Sequence, residues 1–346
     1  MRLFSTEQVS KYHPDKYADQ ISDAVLDACL NEDINSRVAC ECMVKGETVI
    51  LAGEITTKAN PDYAAIVNRV AKKLGYKASN IITYIDHQSP EIANGVDAGG
   101  AGDQGMMYGA AFGETESLLP YGFDLANRIT AALEDEVATP GSILLGDAKC
   151  QVTTDLDAEP GPDMVERVLV SACHRKDTSV EEVRRLITSI LYNLGIDNHT
   201  TEIIVNPAGA WTLGGPAADC GLTGRKIVCD QYGGYTPVGG GAFSGKDPTK
   251  VDRSGAYMAR KIACDLLKQH ELPYCGVQLA YGIGLAHPVS VIIDTPLAAR
   301  NAAYAEEVMK NYDLTPNGII KALNLHRERY ETLAEGCHFR EGGIIR

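Results

Sequence analysis

The chain has 346 residues, more than one hydrophobic core usually organises, so two or three domains are expected. Apolar residues make up 45% of it and charged residues 23%, an ordinary globular balance, and no run approaches the ~20 apolar residues of a membrane span. The net charge of −14 argues against broad nucleic-acid binding; in so acidic a protein a local cluster of cations needs a reason, and a small polyanion is a natural one.

The amino end, MRLFSTEQVSKYHPDK, turns polar within a few residues and does not read as a secretory signal, so a cytoplasmic location is expected. Pro14 and Asp15 then open a helix in which Ile21, Val25, Ala28 and Cys29 recur at helical spacing. Two strand-like runs, SRVACECMV and ETVILAGEITT, meet at a turn at Lys45-Gly46. Asn60-Pro61-Asp62 caps a second helix, and residues 79–86 read as a strand. No regular element suits 94–105, whose glycines mark a functional loop or a domain junction. The middle part predicts a helix at 124–137, a strand at KCQVTTDL, a helix at 179–194 and a strand at TEIIVNPAG. The last part predicts a helix at 252–269, strands at GVQLAYGIG and PVSVIIDT, and a final helix at 316–333. The pattern is α+β, with domains expected at 1–97, 98–216 and 217–346 and no residue-level repeat. Ten cysteines include no C-x-x-C pair, only Cys40-x-Cys42 and Cys173-His174, so packed reduced thiols are expected rather than zinc ligands.

Three places carry candidate chemistry. His13-Pro14-Asp15-Lys16 gathers a ring donor, a carboxylate and an ammonium at a helix start, where phosphate is favoured and Asp15 could hold Mg²⁺; on this motif alone the plainer reading is favoured, in which Asp15 merely complements the helix dipole and Lys16 is solvated. Arg225, Lys226, Lys246, Lys250 and Asp252 alternate with glycines that let a backbone approach a ligand closely. Gly240-x-x-x-x-Gly245-Lys246 imitates a phosphate-binding P-loop, but Asp247 stands where a hydroxyl is required and Pro248 delays the helix. Asp147-Ala148-Lys149 opens a strand, and the lone Trp211 lies among loop glycines, suited to stacking on adenine or to a core.

In order along the chain, HPDKYADQISDAVLDA, VACE, GEITT, GAGDQG, DAKCQVT, DCGLTGRKI and GGGAFSGKDPTKVDRSGAY resemble the motifs of methionine adenosyltransferases (S-adenosylmethionine synthetases), from about Phe4 to about Phe339. The resemblance implies three similar sheet-plus-helix domains around a pseudo-threefold axis. It implies attack of the methionine sulfur on C5′ of ATP, loss of the whole triphosphate and its hydrolysis at the same site. It also implies two Mg²⁺, held by Asp15 and Asp252, and a K⁺ on Glu41. His13, Lys149, Arg225, Lys246 and Lys250 take catalytic roles on the triphosphate and the departing oxygen. Lys16, Asp147, Ala210, Trp211, Asp219, Lys226 and Ala242 complete the ATP site, and Glu54, Gln88, Asp103, Asp219 and Lys250 bind methionine. The implied assembly is a homodimer or dimer of dimers with sites at the subunit interface. A phosphoryl-transfer enzyme, which would release ADP, and a non-catalytic regulatory paralogue are the competing readings.

Three departures from the family pattern stand out. Lys11-Tyr12 replace Glu-Gly before HPDK, which puts a ring and a cation beside Asp15; Ala210 replaces a basic residue; and the gating loop before Gly102 is cut to Ala98-Gly99-Gly100-Ala101. A lid excludes water and holds reactants close. Steady-state kinetics are therefore expected to show a raised KM for methionine, or triphosphate hydrolysis that runs without it; tight methionine binding with strict coupling would refute this.

Overall fold

The computed structural model describes residues 1–87, 99–197, 199–327 and 329–345. Strand β1 (Leu3–Val9) leads into helix α1 (Pro14–Glu32). The hairpin β2 (Arg37–Lys45) and β3 (Thr48–Thr56) follows, turning at Gly46 with φ +59°, then helix α2 (Tyr63–Lys73) and strand β4 (Asn80–Asp86). Strand β5 (Gly105–Phe112) and helix α3 (Tyr121–Ala138) precede the hairpin β6 (Leu144–Asp155) and β7 (Val165–His174), helix α4 (Val180–Asn193) and β8 (Glu202–Val205). The short β9 (Gly221–Leu222) is followed by helix α5 (Val251–His270), the pair β10 (Tyr274–Tyr281) and β11 (Ser290–Asp294), and helices α6 (Asn301–Asn311) and α7 (Pro316–Leu323).

One motif recurs three times: a helix, an antiparallel strand pair, a second helix. It appears as α1-β2-β3-α2, α3-β6-β7-α4 and α5-β10-β11-α6. In each case a strand from elsewhere in the chain pairs antiparallel with the first strand of the pair: β9 with β2, β1 with β6, β5 with β10. The sheets are β4-β3-β2-β9, β1-β6-β7-β8 and β11-β10-β5. The repeat is therefore one of topology that the residues do not repeat. The middle sheet and its helices close over their own core, including Ile129, Leu133, Val152, Val168, Ile187 and Leu191, while the first and third share one continuous core running from Val25 and Leu51 to Leu279 and Phe339.

The helix starts follow from local chemistry. Asp62 caps α2, its carboxylate accepting the Ala65 N–H at 2.9 Å, and Ser179 with Glu182 forms a capping box on α4. The helix predicted at 316–333 is instead broken: Asn324 turns left-handed at φ 54° and ends α7, and Tyr330 starts a separate turn whose N–H donates to Asp27. Nine of the ten cysteines are buried and none forms a disulfide. No described helix is long and apolar enough to cross a membrane.

Glycine at 109 is required by packing. A Cβ there would lie 2.1 Å from the Ala259 carbonyl carbon and 2.2 Å from the Arg260 nitrogen, so the backbone of α5 rests directly on β5. Gly109→Ala is expected to destabilise the protein by about 1–3 kcal/mol or more, because backbone rather than a mobile side chain must give way; an unchanged thermal midpoint would contradict this contact.

Candidate active site

The first group of site residues gathers at the start of α1. His13 caps the helix, its Nδ1 accepting the Asp15 N–H at 3.1 Å, so the neutral ring keeps its proton on Nε2. Burial, then the ammonium groups of Lys226 and Lys149, push its pKa down to about 3. The ring is thus a neutral donor, and its 3.8 Å approach to the Asp15 carboxylate is no ion pair. Asp15 is fully buried. It accepts the Leu222 N–H at 3.0 Å and the Lys226 ammonium at 2.6 Å, with Arg225 Nε 3.6 Å away. Burial works to raise its pKa, but Lys226 and the Leu222 N–H outweigh it and hold the carboxyl below its usual range.

Strand β6 brings Asp147 and Lys149 beside this group. Asp147 Oδ2 accepts the Gly215 N–H at 2.7 Å, which pins the loop after Trp211; its buried Oδ1 has no partner among the described residues. Burial raises its pKa. A buried acceptor without a donor is costly unless a ligand or water completes it. Trp211 is partly exposed, its N–H donating to His174 Nε2 at 3.2 Å and its indole to the Leu213 carbonyl at 2.7 Å. Ala210 is exposed beside it. Asp219 is exposed too, and its charge acts on both His13 and Asp147.

A second group lies further along β2. Lys246 bridges to Ala39, while Leu222 pairs with Met43, so the two groups are anchored about 13 Å apart on one strand. Lys246 Nζ meets Asp252 at 2.5 Å, and Lys250 Nζ meets the buried Asp247 at 2.5 Å. Asp247 also accepts from Val38 N–H and from Thr249, which staples this loop to β2. The helix after the glycine-rich loop begins only at Val251, so no P-loop forms. Gly241 packs against Asp252, where a Cβ would lie 2.2 Å from Cγ, and a Cβ on Gly224 would lie 2.5 Å from that of Ala242, so the two loops touch. Glu41 and Glu54 occupy the open face of the first sheet, in register with Ala52 and Ala39. Partial burial, then the charge of Glu54, raises the pKa of Glu41. Asp103 is exposed two residues before Gly105, itself packed near Asp252. Gln88 lies outside the described residues.

Two expectations are corrected. Lys16 does not face the site: it is wholly enclosed, its ammonium 2.6 Å from Asp230 and 3.1 Å from Asp19, because those buried carboxylates require a counter-charge. Lys11 and Tyr12 do not crowd Asp15. Lys11 Nζ pairs with Glu134 at 3.5 Å, and the Tyr12 ring lies over Gly146, where a Cβ would come within 2.6 Å of it. Just before Gly102, Ala101 exchanges hydrogen bonds with Leu285 and Gly284.

No three His, Cys, Asp or Glu side chains among the described residues gather into a metal cage. Asp15 and Asp252 instead stand singly among cations. One carboxylate completed by phosphate oxygens and water is the ligand pattern of Mg²⁺, so the donor set fits an ion carried in with a polyphosphate. The adjacent carboxylates Glu41 and Glu54 are suited to a monovalent cation that relieves their repulsion.

Three family models match nearly end to end: S-adenosylmethionine synthetase, N-terminal domain over residues 1–98, central domain over 98–211 and C-terminal domain over 213–344. Among solved structures, an unusual S-adenosylmethionine synthetase from Campylobacter jejuni superposes with a TM-score of 0.91 at 33% identity, covering 99% of this chain and 96% of that one.

The state of His13 has a measurable consequence. The unfolded chain takes up this proton below about pH 6.5, whereas the folded site resists it down to about pH 3, so stability is lost as pH falls through that window. His13→Gln is expected to flatten this part of the stability–pH profile; an unchanged slope would mean that the ring is not held neutral.

Proposed function

The chain belongs to the S-adenosylmethionine synthetase family and makes S-adenosylmethionine from ATP and L-methionine, and we propose that it does so at the two charged groups around Asp15 and Asp252. The observation that carries the reading is the convergence of His13, Arg225 and Lys226 on one buried carboxylate, with Lys149 close enough to act on His13, in a strongly acidic protein.

A thioether sulfur has no proton to lose, so no general base is required. Its lone pair forms the bond to C5′ while the C5′–O bond breaks, and both electrons of that bond leave with the triphosphate. Charge therefore builds on the leaving group, and fixed cations aimed there provide the main stabilisation. Lys149, Arg225, Lys226, Lys246 and Lys250 neutralise the phosphate chain. The neutral His13 donates its Nε2–H to the bridging oxygen without adding a charge that would have to be desolvated. Asp147 offers its unpartnered Oδ1 to the nucleoside, Trp211 stacks on adenine beside Ala210, and Ala242 lines the loop over the phosphates. Glu54, Gln88, Asp103 and Asp219 orient methionine. Asp15 and Asp252 would each hold a Mg²⁺ and Glu41 a K⁺; Mg²⁺ would add Lewis-acid neutralisation of the phosphates. Water then cleaves the released triphosphate to phosphate and pyrophosphate.

A second copy of the chain is proposed to complete the site. Glu41 and Glu54 share the open sheet face with Met43 and Tyr84, which are 36% and 68% exposed. A homodimer packed through that face, alone or doubled into a tetramer, would enclose carboxylates that one chain leaves open.

Protein mixed with ATP, methionine, Mg²⁺ and K⁺ is expected to yield the sulfonium product by mass spectrometry, with phosphate and pyrophosphate in equal amounts and no ADP by phosphorus NMR. Lys149→Met and Asp252→Asn are each expected to lower adenosyl transfer by orders of magnitude without unfolding the chain. Release of ADP, or full activity in both variants, would sink the assignment.

A further inference from the structure

Helix α1 carries a carboxylate at every fourth position, Asp15, Asp19, Asp23 and Asp27, so all four point down one face. Asp19 and Asp23 have no exposure to solvent. Asp19 Oδ1 accepts the Gly224 N–H at 2.9 Å, and its Oδ2 takes the Lys16 ammonium at 3.1 Å. One turn on, Asp23 Oδ1 accepts the Gly245 N–H at 2.8 Å, and both of its oxygens are bridged by Arg253 at 2.7 Å. Arg253 Nη1 also donates to the Lys246 carbonyl at 3.1 Å. The two arrangements are alike in outline: a buried carboxylate beside a buried cation, which Asp19 shares with Asp230 and Asp23 has in Arg253, grips the N–H of a glycine that immediately precedes a cation of the site. Gly224 precedes Arg225 and Lys226; Gly245 precedes Lys246. Both glycines are left-handed, at φ +78° and +81°, and a Cβ on Gly245 would strike the Cys40 carbonyl oxygen at 1.9 Å, so the backbone at Lys246 has one place to go.

We propose that Asp19 and Asp23 are positioning residues for adenosyl transfer, fixing from one rigid helix the backbone from which Arg225, Lys226 and Lys246 reach the triphosphate. Lys16 and Arg253 are their counter-ions and touch no substrate. The inference rests on the reading of those three cations as phosphate ligands. Its physical basis is that electrostatic stabilisation depends on groups already in place, and a displacement of about 1 Å costs about 100-fold in rate.

Asp23→Asn alone would strand a buried arginine and threaten folding, so the test compares two double variants. Asp23→Asn with Arg253→Met and Asp23→Leu with Arg253→Met both remove the buried charges, but only the first keeps an oxygen for the Gly245 N–H. The first is expected to keep kcat within a few-fold of the parent. The second is expected to lose about 100-fold in kcat, with KM for methionine little changed, even where the two have matched thermal midpoints. Losses that follow the thermal midpoint rather than that oxygen, or parent-like kcat in both, overturn the proposal. A measurement on the parent protein decides the matter if neither variant folds: the Gly224 and Gly245 amides should exchange hydrogen as slowly as the core of α1, and exchange at the rate of an open loop overturns it. A parent that makes no sulfonium product while those amides stay protected would instead fault the functional reading.

Discussion

Burying carboxylates along one face of α1 sets terms for the rest of the molecule. A carboxylate removed from water must be given a cation or several N–H donors, or it takes up a proton. Asp15, Asp19 and Asp23 each obtain an N–H donor from a segment more than two hundred residues further on. The loops that donate are the glycine-rich ones carrying Arg225, Lys226 and Lys246. The cost of burying charge in the first helix is offset by these N–H bonds and ion pairs, which also hold the backbone that leads into Arg225, Lys226 and Lys246. Asp19 shows how near the balance lies: burial first of all, opposed by Lys16, leaves its pKa raised to about 7.

Two cations of the site already face carboxylates. Lys226 pairs with Asp15 and Lys246 with Asp252. On the proposed reading, a polyphosphate with its metal ions would exchange partners rather than create charge contacts from nothing, phosphate taking the lysines and metal the carboxylates. Such an exchange would limit the repulsion between an acidic protein and a polyanion.

Much of this was legible in the sequence. The cap at Asp62, the Lys45-Gly46 hairpin and the helix over α4 follow from local rules, and the motif order from HPDK to GKDPTKVDRS pointed to the family. Strands β1, β5 and β7 did not announce themselves. In β5 the run GMMYGAAF is poor in β-branched residues, since α5 lies too close to admit larger side chains at Gly109. Lys16 looked like a phosphate ligand because it sits beside Asp15; only the fold reveals Asp230 waiting underneath it. The four-residue spacing of the aspartates was plain to read, but spacing alone does not say which face of a helix looks inward. The departure at Lys11-Tyr12 was visible too, whereas its partners, Glu134 and Gly146, are distant in the chain.

The borrowed strands have a consequence for biosynthesis. β1 emerges from the ribosome first but waits for β6, while β2 cannot complete its sheet until Gly221 and Leu222 have been made. β5 likewise waits for β10, more than 160 residues downstream. Each sheet therefore spends part of translation with a bare rim, open to other nascent chains. None of the three matched segments, cut out alone, would carry all the strands of its own sheet. The molecule is modular in pattern but indivisible in assembly.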